Sequence, residues 1–154
     1  MNVRVNPSAV RTDPSDAVQT FYDDHPYPPP VDSLDEDRAA WSDELRRRVE
    51  HARIWPSAPY RDDHSILIAG CGTSQAARYS VRYPNSRVVG IDVSPSSISA
   101  TRSLAERYGL TNLELYQLPI EEAGALGTSF DLIVCTGVLH HLADPDVGLR
   151  SLRD

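Results

Sequence analysis

The sequence predicts an α/β fold built on a parallel sheet, and three observations carry that prediction. First, Ile66-Leu67-Ile68-Ala69 is a short apolar run closed by Gly70 and Gly72, then by the helix-compatible stretch Gln75 to Tyr83, which reads as strand, tight turn, helix. Second, a further strand over Arg87 to Ile91 ends at Asp92, about twenty residues beyond the glycine turn. Third, strands and helices alternate with short connections, which favours right-handed crossovers and parallel pairing.

Taken in order, Met1 to Thr12 has no periodicity and reads as a loose tail. Asp13-Pro14 reads as an N-cap and first helical position, with Ala17, Val18, Phe21 and Tyr22 along one side of a short helix ending near Asp24. The prolines of His25 to Pro30 impose a stiff extended segment. That segment is a rigid linker, a ligand for a proline-binding module, or a lid over the glycine turn with Tyr22 and Tyr27 as aromatic walls.

From Leu34 to about Trp55 the spacing of Trp41, Leu45, Val49 and Ala52 predicts one packing helix, with Arg46-Arg47-Arg48 on its solvated face. Every glycine lies at or after Gly70, and most prolines precede Tyr60. This shift places a boundary near Pro59 to His64, dividing an accessory or lid segment (1–62) from an α/β unit (63–154).

Within that unit, Gly70 permits the sharp turn, and Gly72 leaves room for a ligand to approach the main chain. Ser94-Pro95 starts a helix that Gly109 ends after Tyr108, Leu113 to Gln117 is a third strand, and Pro119 to Ala123 is a turn or short helix. Phe130 to Thr136 is a fourth strand, and Asp144-Pro145 starts a last helix. The fourth strand is apolar on both faces, as an interior strand is.

Composition narrows the function. A chain of 154 residues with 40% hydrophobic and 24% charged residues suits one globular domain. A formal net charge of -7 and a pI near 5.1 argue against sequence-independent nucleic-acid binding, which needs a concentrated basic surface. The apolar runs are too short to span a bilayer and Met1 opens no signal-peptide core, so a cytoplasmic location without membrane partners is expected. Cys71 and Cys135 are expected as reduced thiols, with no metal site.

The relation that points to chemistry is the one between the glycine turn and Asp92, whose carboxylate is placed to accept hydrogen bonds from two ribose hydroxyls. A nucleoside-like ligand follows. Dinucleotide enzymes prefer a third glycine where Gln75 stands, which counts against NAD and leaves an NAD-linked oxidoreductase as a lesser reading.

Gly70-Cys71-Gly72-Thr73, Gly90-Ile91-Asp92-Val93-Ser94, Phe130 to Val134 and Thr136-Gly137-Val138-Leu139-His140-His141-Leu142 together resemble the class I S-adenosylmethionine-dependent methyltransferases, from about Ile66 to Asp154. The Tyr- and Pro-rich stretch before the first strand is similar to one carried by a subset of bacterial methyltransferases. The resemblance implies a Rossmann-like parallel sheet of order 3-2-1-4 with helices on both faces, S-adenosyl-L-methionine as cofactor, and methyl transfer to an acceptor that the sequence does not name.

It also implies site roles. Gly70, Cys71 and Gly72 would line the methionine and ribose portion through their main chain, and Asp92 would hold the ribose. Val93, Leu118 and Ile120 would enclose the adenine, and Thr136, Gly137 and Val138 would sit beside the sulfonium. Three positions depart from the family pattern: Ile68 and Pro119 replace acids, and Ser74 replaces a glycine. His140 and His141 are expected as structural groups, and no catalytic residue is assigned. Since the family sheet has seven strands and four are found, a truncated chain is expected. The competing reading is a noncatalytic remnant or interaction module, pairing with a complementing chain or with itself through the fourth strand.

Overall fold

The computed structural model describes residues 29–154. The expected helix over Asp13 to Asp24 and the possible lid tyrosines, Tyr22 and Tyr27, lie outside the described residues. Two N-terminal helices, α1 (Asp35–Trp41) and α2 (Glu44–Ile54), lead into β1 (Ser65–Ala69), α3 (Gln75–Arg82), β2 (Arg87–Asp92) and α4 (Pro95–Tyr108). Then follow β3 (Leu113–Gln117), a 3-10 segment (Ile120–Leu126), β4 (Leu132–Cys135), a single 3-10 turn (Leu139–His141) and α5 (Pro145–Arg153).

The four strands form one sheet of order β3-β2-β1-β4 with every pairing parallel, Ser65 opposite Arg87 and Ile66 opposite Leu132. Alternation divides the core between two faces. Ile66, Ile68 and Val88 point to one side, with Ala76, Tyr83 and Ile98. Leu67, Ala69, Val89 and Ile91 point to the other, with Ile120, Ala123 and Leu152. Full burial of each large aliphatic side chain is worth about 1.5–3 kcal/mol, so β1, covered on both faces, anchors the fold. β4 is one of the two edges among the described strands, β3 being the other, and Ile133 is 36% exposed there. The two-sided apolar pattern of an interior strand is therefore present in β4 without full cover.

The capping expectations hold in detail. Ser94 accepts from the Ser97 N–H ahead of Pro95, Gly109 closes α4 in the left-handed region at φ 61°, and the Asp144 side chain accepts from Asp146 and Val147 N–H.

The single helix expected from Leu34 to Trp55 is two. Asp43 accepts from Leu45 N–H at 2.9 Å, an N-cap that restarts the chain, while the Arg47 guanidinium takes the carbonyls of Trp41 and Ser42. The expected apolar stripe does not pack: Leu45 is 67% and Val49 55% exposed, and Ala52 is exposed. The buried residue of α2 is His51. Nor is the arginine triplet simply solvated. Arg46 lies over Trp41 at 4.4 Å and Arg48 over Tyr60 at 4.2 Å, so the guanidiniums find π-faces and carbonyls instead of water alone. What fixes the N-terminal segment to the sheet unit is Leu34, fully buried against Ala77 and Leu104, with its N–H donating to the Tyr108 hydroxyl at 2.9 Å.

Where α2 meets β1, His64 stacks on Trp55 at 4.0 Å and lies 5.4 Å from His51. His64 is buried and neither ring nitrogen has a hydrogen-bond partner. Burial, helped by the Arg61 guanidinium and His51, holds its pKa below the usual 6.5 and outweighs the pull of Asp131. The folded chain therefore takes up this proton less readily than the unfolded chain. The stabilisation is present above about pH 6.5 and is lost as pH falls further. Urea unfolding is expected to show lower stability at pH 5.5 than at pH 7.5, with the difference much reduced in His64→Phe. Identical pH slopes in the two proteins would remove His64 as the cause.

Candidate functional site

The site is built outward from the turn after β1. Gly70 and Cys71 N–H both donate to Ile91 O at 2.9 Å, which ties the turn to the end of β2. Both glycines are left-handed, at φ 71° and 54°, where side chains are disfavoured. Gly72 N–H donates to Asp92 Oδ2 at 2.8 Å, and Thr101 Oγ from α4 donates to Gly72 O at 2.9 Å. The N–H groups of Gly70, Cys71 and Gly72 are thus spent inside the protein, and the turn itself borders the adjoining cleft.

Asp92 is anchored through both carboxylate oxygens, since its Oδ1 accepts from Ser94 N–H at 2.9 Å. The chain after β3 is drawn to the same place: Leu118 N–H donates to Asp92 O at 2.9 Å and Gln117 Nε2 to Val93 O at 3.2 Å. These bonds set Leu118 beside Val93. Past β4, Gly137 turns at φ 72° with open space where a Cβ would stand. Val138 packs back over Gly70, its Cγ2 only 2.3 Å from where a Gly70 Cβ would stand.

All these segments border one cleft of about 650 Å³, a size that suits a nucleoside-sized ligand. Every expected cofactor residue lies on its wall: Gly70, Cys71 and Gly72 from the turn, Asp92 and Val93 from the end of β2, Leu118 and Ile120 after β3, and Thr136, Gly137 and Val138 after β4. Of the two histidines singled out from the sequence, His141 borders the cleft, whereas His140 is exposed with its ring 3.9 Å from that of His141. Ser74, one of the departures, also lies on the wall, and Pro119 opens the 3-10 segment in extended backbone.

The opposite wall is not anticipated from the strand ends. It comes from Val31, from Asp37 and Trp41 of α1, and from Gln75, Arg78, Tyr79 and Arg82 of α3. The last four recur at intervals of three and four, the spacing of one helix face. That periodicity, starting directly after the glycine turn, is the sequence signal that locates them.

Neither thiol offers a nucleophile. Cys71 is buried and donates weakly to Gly72 O at 3.7 Å; burial, then the Asp92 charge, pushes its pKa well up, and burial raises Cys135 too. Both cysteines are free, as expected. Among the described residues no helix is long and apolar enough to cross a membrane.

Residues 67–154 match the family model described as "Methyltransferase domain". An uncharacterized protein of Synechococcus sp. is 32% identical over 139 residues, covering 88% of this chain and 33% of its own length. The ubiquinone biosynthesis O-methyltransferase of Acinetobacter baylyi is 31% identical over 81 residues, 52% of this chain and 34% of that protein. The chain therefore spans about a third of the length of each of these curated relatives. Among solved structures, the magnesium protoporphyrin IX methyltransferase of Synechocystis PCC 6803 with bound SAM superposes with a TM-score of 0.64 at 15% identity, over 94% of this chain and 73% of that one. PKMT2 from Rickettsia typhi in complex with AdoHcy gives 0.57 at 24% identity, over 74% and 22%. At such identities the superpositions speak for the fold, and the family match, which takes in more than half of the chain, speaks for descent: this chain belongs to the methyltransferase-domain family.

Proposed function

We propose that the cleft holds S-adenosylmethionine and that the chain serves methyl transfer. The observation that carries this reading is convergence: ten residues from separate stretches of sequence line one wall of a single cleft. The chemistry of the wall suits the molecule. Val93, Leu118 and Ile120 offer an apolar slot for a flat base, and Asp92 a carboxylate for a ribose. An ionised carboxylate only accepts hydrogen bonds, which suits it to the hydroxyl protons of a ribose, and the Gly72 and Ser94 N–H groups fix its place at the end of β2. The open side of Gly137 leaves room for the reacting end.

Held by Asp92 at the ribose and by Val93, Leu118 and Ile120 at the base, the cofactor would supply an electrophilic methyl group for transfer to an acceptor's lone pair, with the thioether as leaving group. The task left to this chain is orientation and exclusion of water. In this reading residues 1–62 form a covering segment and 63–154 the cofactor-binding unit; Val31, Asp37 and Trp41 on the cleft wall support that division of labour. Two free thiols fit the reducing cytoplasm.

Calorimetric titration of the 154-residue chain tests the reading. Saturable binding of S-adenosylhomocysteine in the micromolar range is expected, with no comparable heat from NADH. A preference for NADH, or failure to bind the nucleoside at all, would sink it.

A further inference from the structure

We infer that a second hollow, bounded by α1, the first turn of α2, the outer side of α3 and the chain that leaves α4, binds the phosphate of a small phosphate monoester through Arg38 and Arg47. The inference is independent of the methyl-transfer reading, because both arginines lie outside the cleft.

The hollow measures about 310 Å³, at the small end of ligand sites. α1 gives it Arg38 and Trp41, α2 gives Arg47, α3 gives Val81, and the chain after α4 gives Thr111. At about 100° of turn per residue, Ser80 and Val81 stand off the α3 face that carries Gln75, Arg78, Tyr79 and Arg82 along the cleft. Trp41 is the one described residue that borders both spaces.

The charge of the hollow is opposite to that of the molecule. The chain carries a formal net charge of -7, yet two arginines and no Asp or Glu line this space. The Arg38 guanidinium lies over the Tyr108 ring at 5.7 Å and pairs with no carboxylate among the described residues. Arg47 is positioned without being neutralised: its Nη1 donates to the carbonyls of Trp41 and Ser42, and its Nε is buried with no hydrogen-bond partner. Nη1 alone does not exhaust a guanidinium, so the anchored side chain keeps donors for an anion. Thr111 adds an exposed hydroxyl.

These groups point to phosphate. A phosphate monoester carries a charge of about -1.5 to -2 at neutral pH and answers two unpaired guanidiniums at once, whereas a carboxylate leaves one of them uncompensated. Trp41, Val81, Pro84 and Leu110 make the rest of the lining apolar, which suits the organic group of an ester better than the bare ion. A nucleic-acid backbone needs a basic stripe along the surface, and two arginines in one hollow do not make one.

The test is calorimetric titration of the full chain at fixed ionic strength with phenyl phosphate, phenol and inorganic phosphate. Phenyl phosphate is expected to bind saturably, about tenfold or more tighter than either of the other two. Arg38→Met should remove most of that preference and Arg38→Lys should keep part of it. Because Arg47 also closes α1, the exposed Arg38 carries the test, and circular dichroism melts show that its variants are folded. Phenol or inorganic phosphate binding as tightly as phenyl phosphate overturns the proposal. So does a preference that survives in full in Arg38→Met, and affinity lost in Arg78→Met but kept in Arg38→Met would put the anion in the cleft instead.

Discussion

Asp92→Ala is expected to weaken S-adenosylhomocysteine binding at least a hundredfold and to lower the melting temperature in the same experiment. Two charge-assisted hydrogen bonds to ribose hydroxyls are worth about 1.5–3 kcal/mol each, which sets the scale of the lost affinity. The same carboxylate holds Gly72 N–H at 2.8 Å and Ser94 N–H at 2.9 Å. Removing it leaves two main-chain donors without their acceptor at the junction of the turn and α4. The turn keeps its bonds to the Ile91 carbonyl and Thr101 but loses the tie to the end of β2 that the carboxylate supplied.

Asp92→Asn is not a benign control. An amide has one oxygen, and the side chain must offer its NH2 to either Gly72 N–H or Ser94 N–H, donor facing donor. Both substitutions should therefore reduce binding and stability together, alanine more than asparagine in affinity. Wild-type affinity in Asp92→Ala would show that the ribose is held elsewhere, whatever the melting temperature does.

The half of the site that faces the sheet is legible in the sequence because its position follows from local rules. Each strand carries its own stop signal: glycines after β1, Asp92 at the end of β2, Pro119 after β3 and Gly137 after β4. In a parallel sheet the carboxyl ends lie together, so residues far apart in sequence become neighbours without any knowledge of packing. The opposite wall obeys no such rule. Its place depends on Leu34 entering the crevice with Ala77 and Leu104, and on the Tyr108 hydroxyl reaching Leu34 N–H. Those are tertiary contacts between stretches about 75 residues apart.

The Leu34 to Trp55 stretch shows the opposite failure. Leu45 and Val49 have the spacing of a packed stripe, yet in the structure they face solvent. Periodicity records which side chains share a face and is silent on whether anything covers it. The restart rests on the Asp43 carboxylate taking Leu45 N–H, a local bond that the spacing of apolar residues does not record. Charge alone marks the arginine triplet as a solvated face; the fold uses Arg47 to close α1, whose last carbonyls have no partner within the helix.

Gly70→Ala should be the most damaging single methyl group that can be added to the glycine turn, and its cost divides into two separable parts. The backbone at φ 71° is left-handed, costing an alanine about 1–2 kcal/mol. The added Cβ would also stand 2.3 Å from Val138 Cγ2 and 3.0 Å from Cγ1, contacts that force the residue after Gly137 away and open the corner where β1 and β4 meet the cleft. Overpacking of this kind adds about 1–3 kcal/mol. A total of about 2–5 kcal/mol is a large share of the stability of a small domain.

The double variant Gly70→Ala/Val138→Ala separates the parts. Removing the two Val138 methyls relieves the clash and leaves the backbone cost, so the double variant should recover part of the stability lost in Gly70→Ala, although Val138→Ala alone is destabilising. That sign reversal is the signature of direct contact. Nucleoside affinity should follow in the same order, because Val138 and Gly70 border the same cleft. Strict additivity in urea unfolding would mean that Val138 does not rest on the turn, and the account of how β4 closes the site would fall with it.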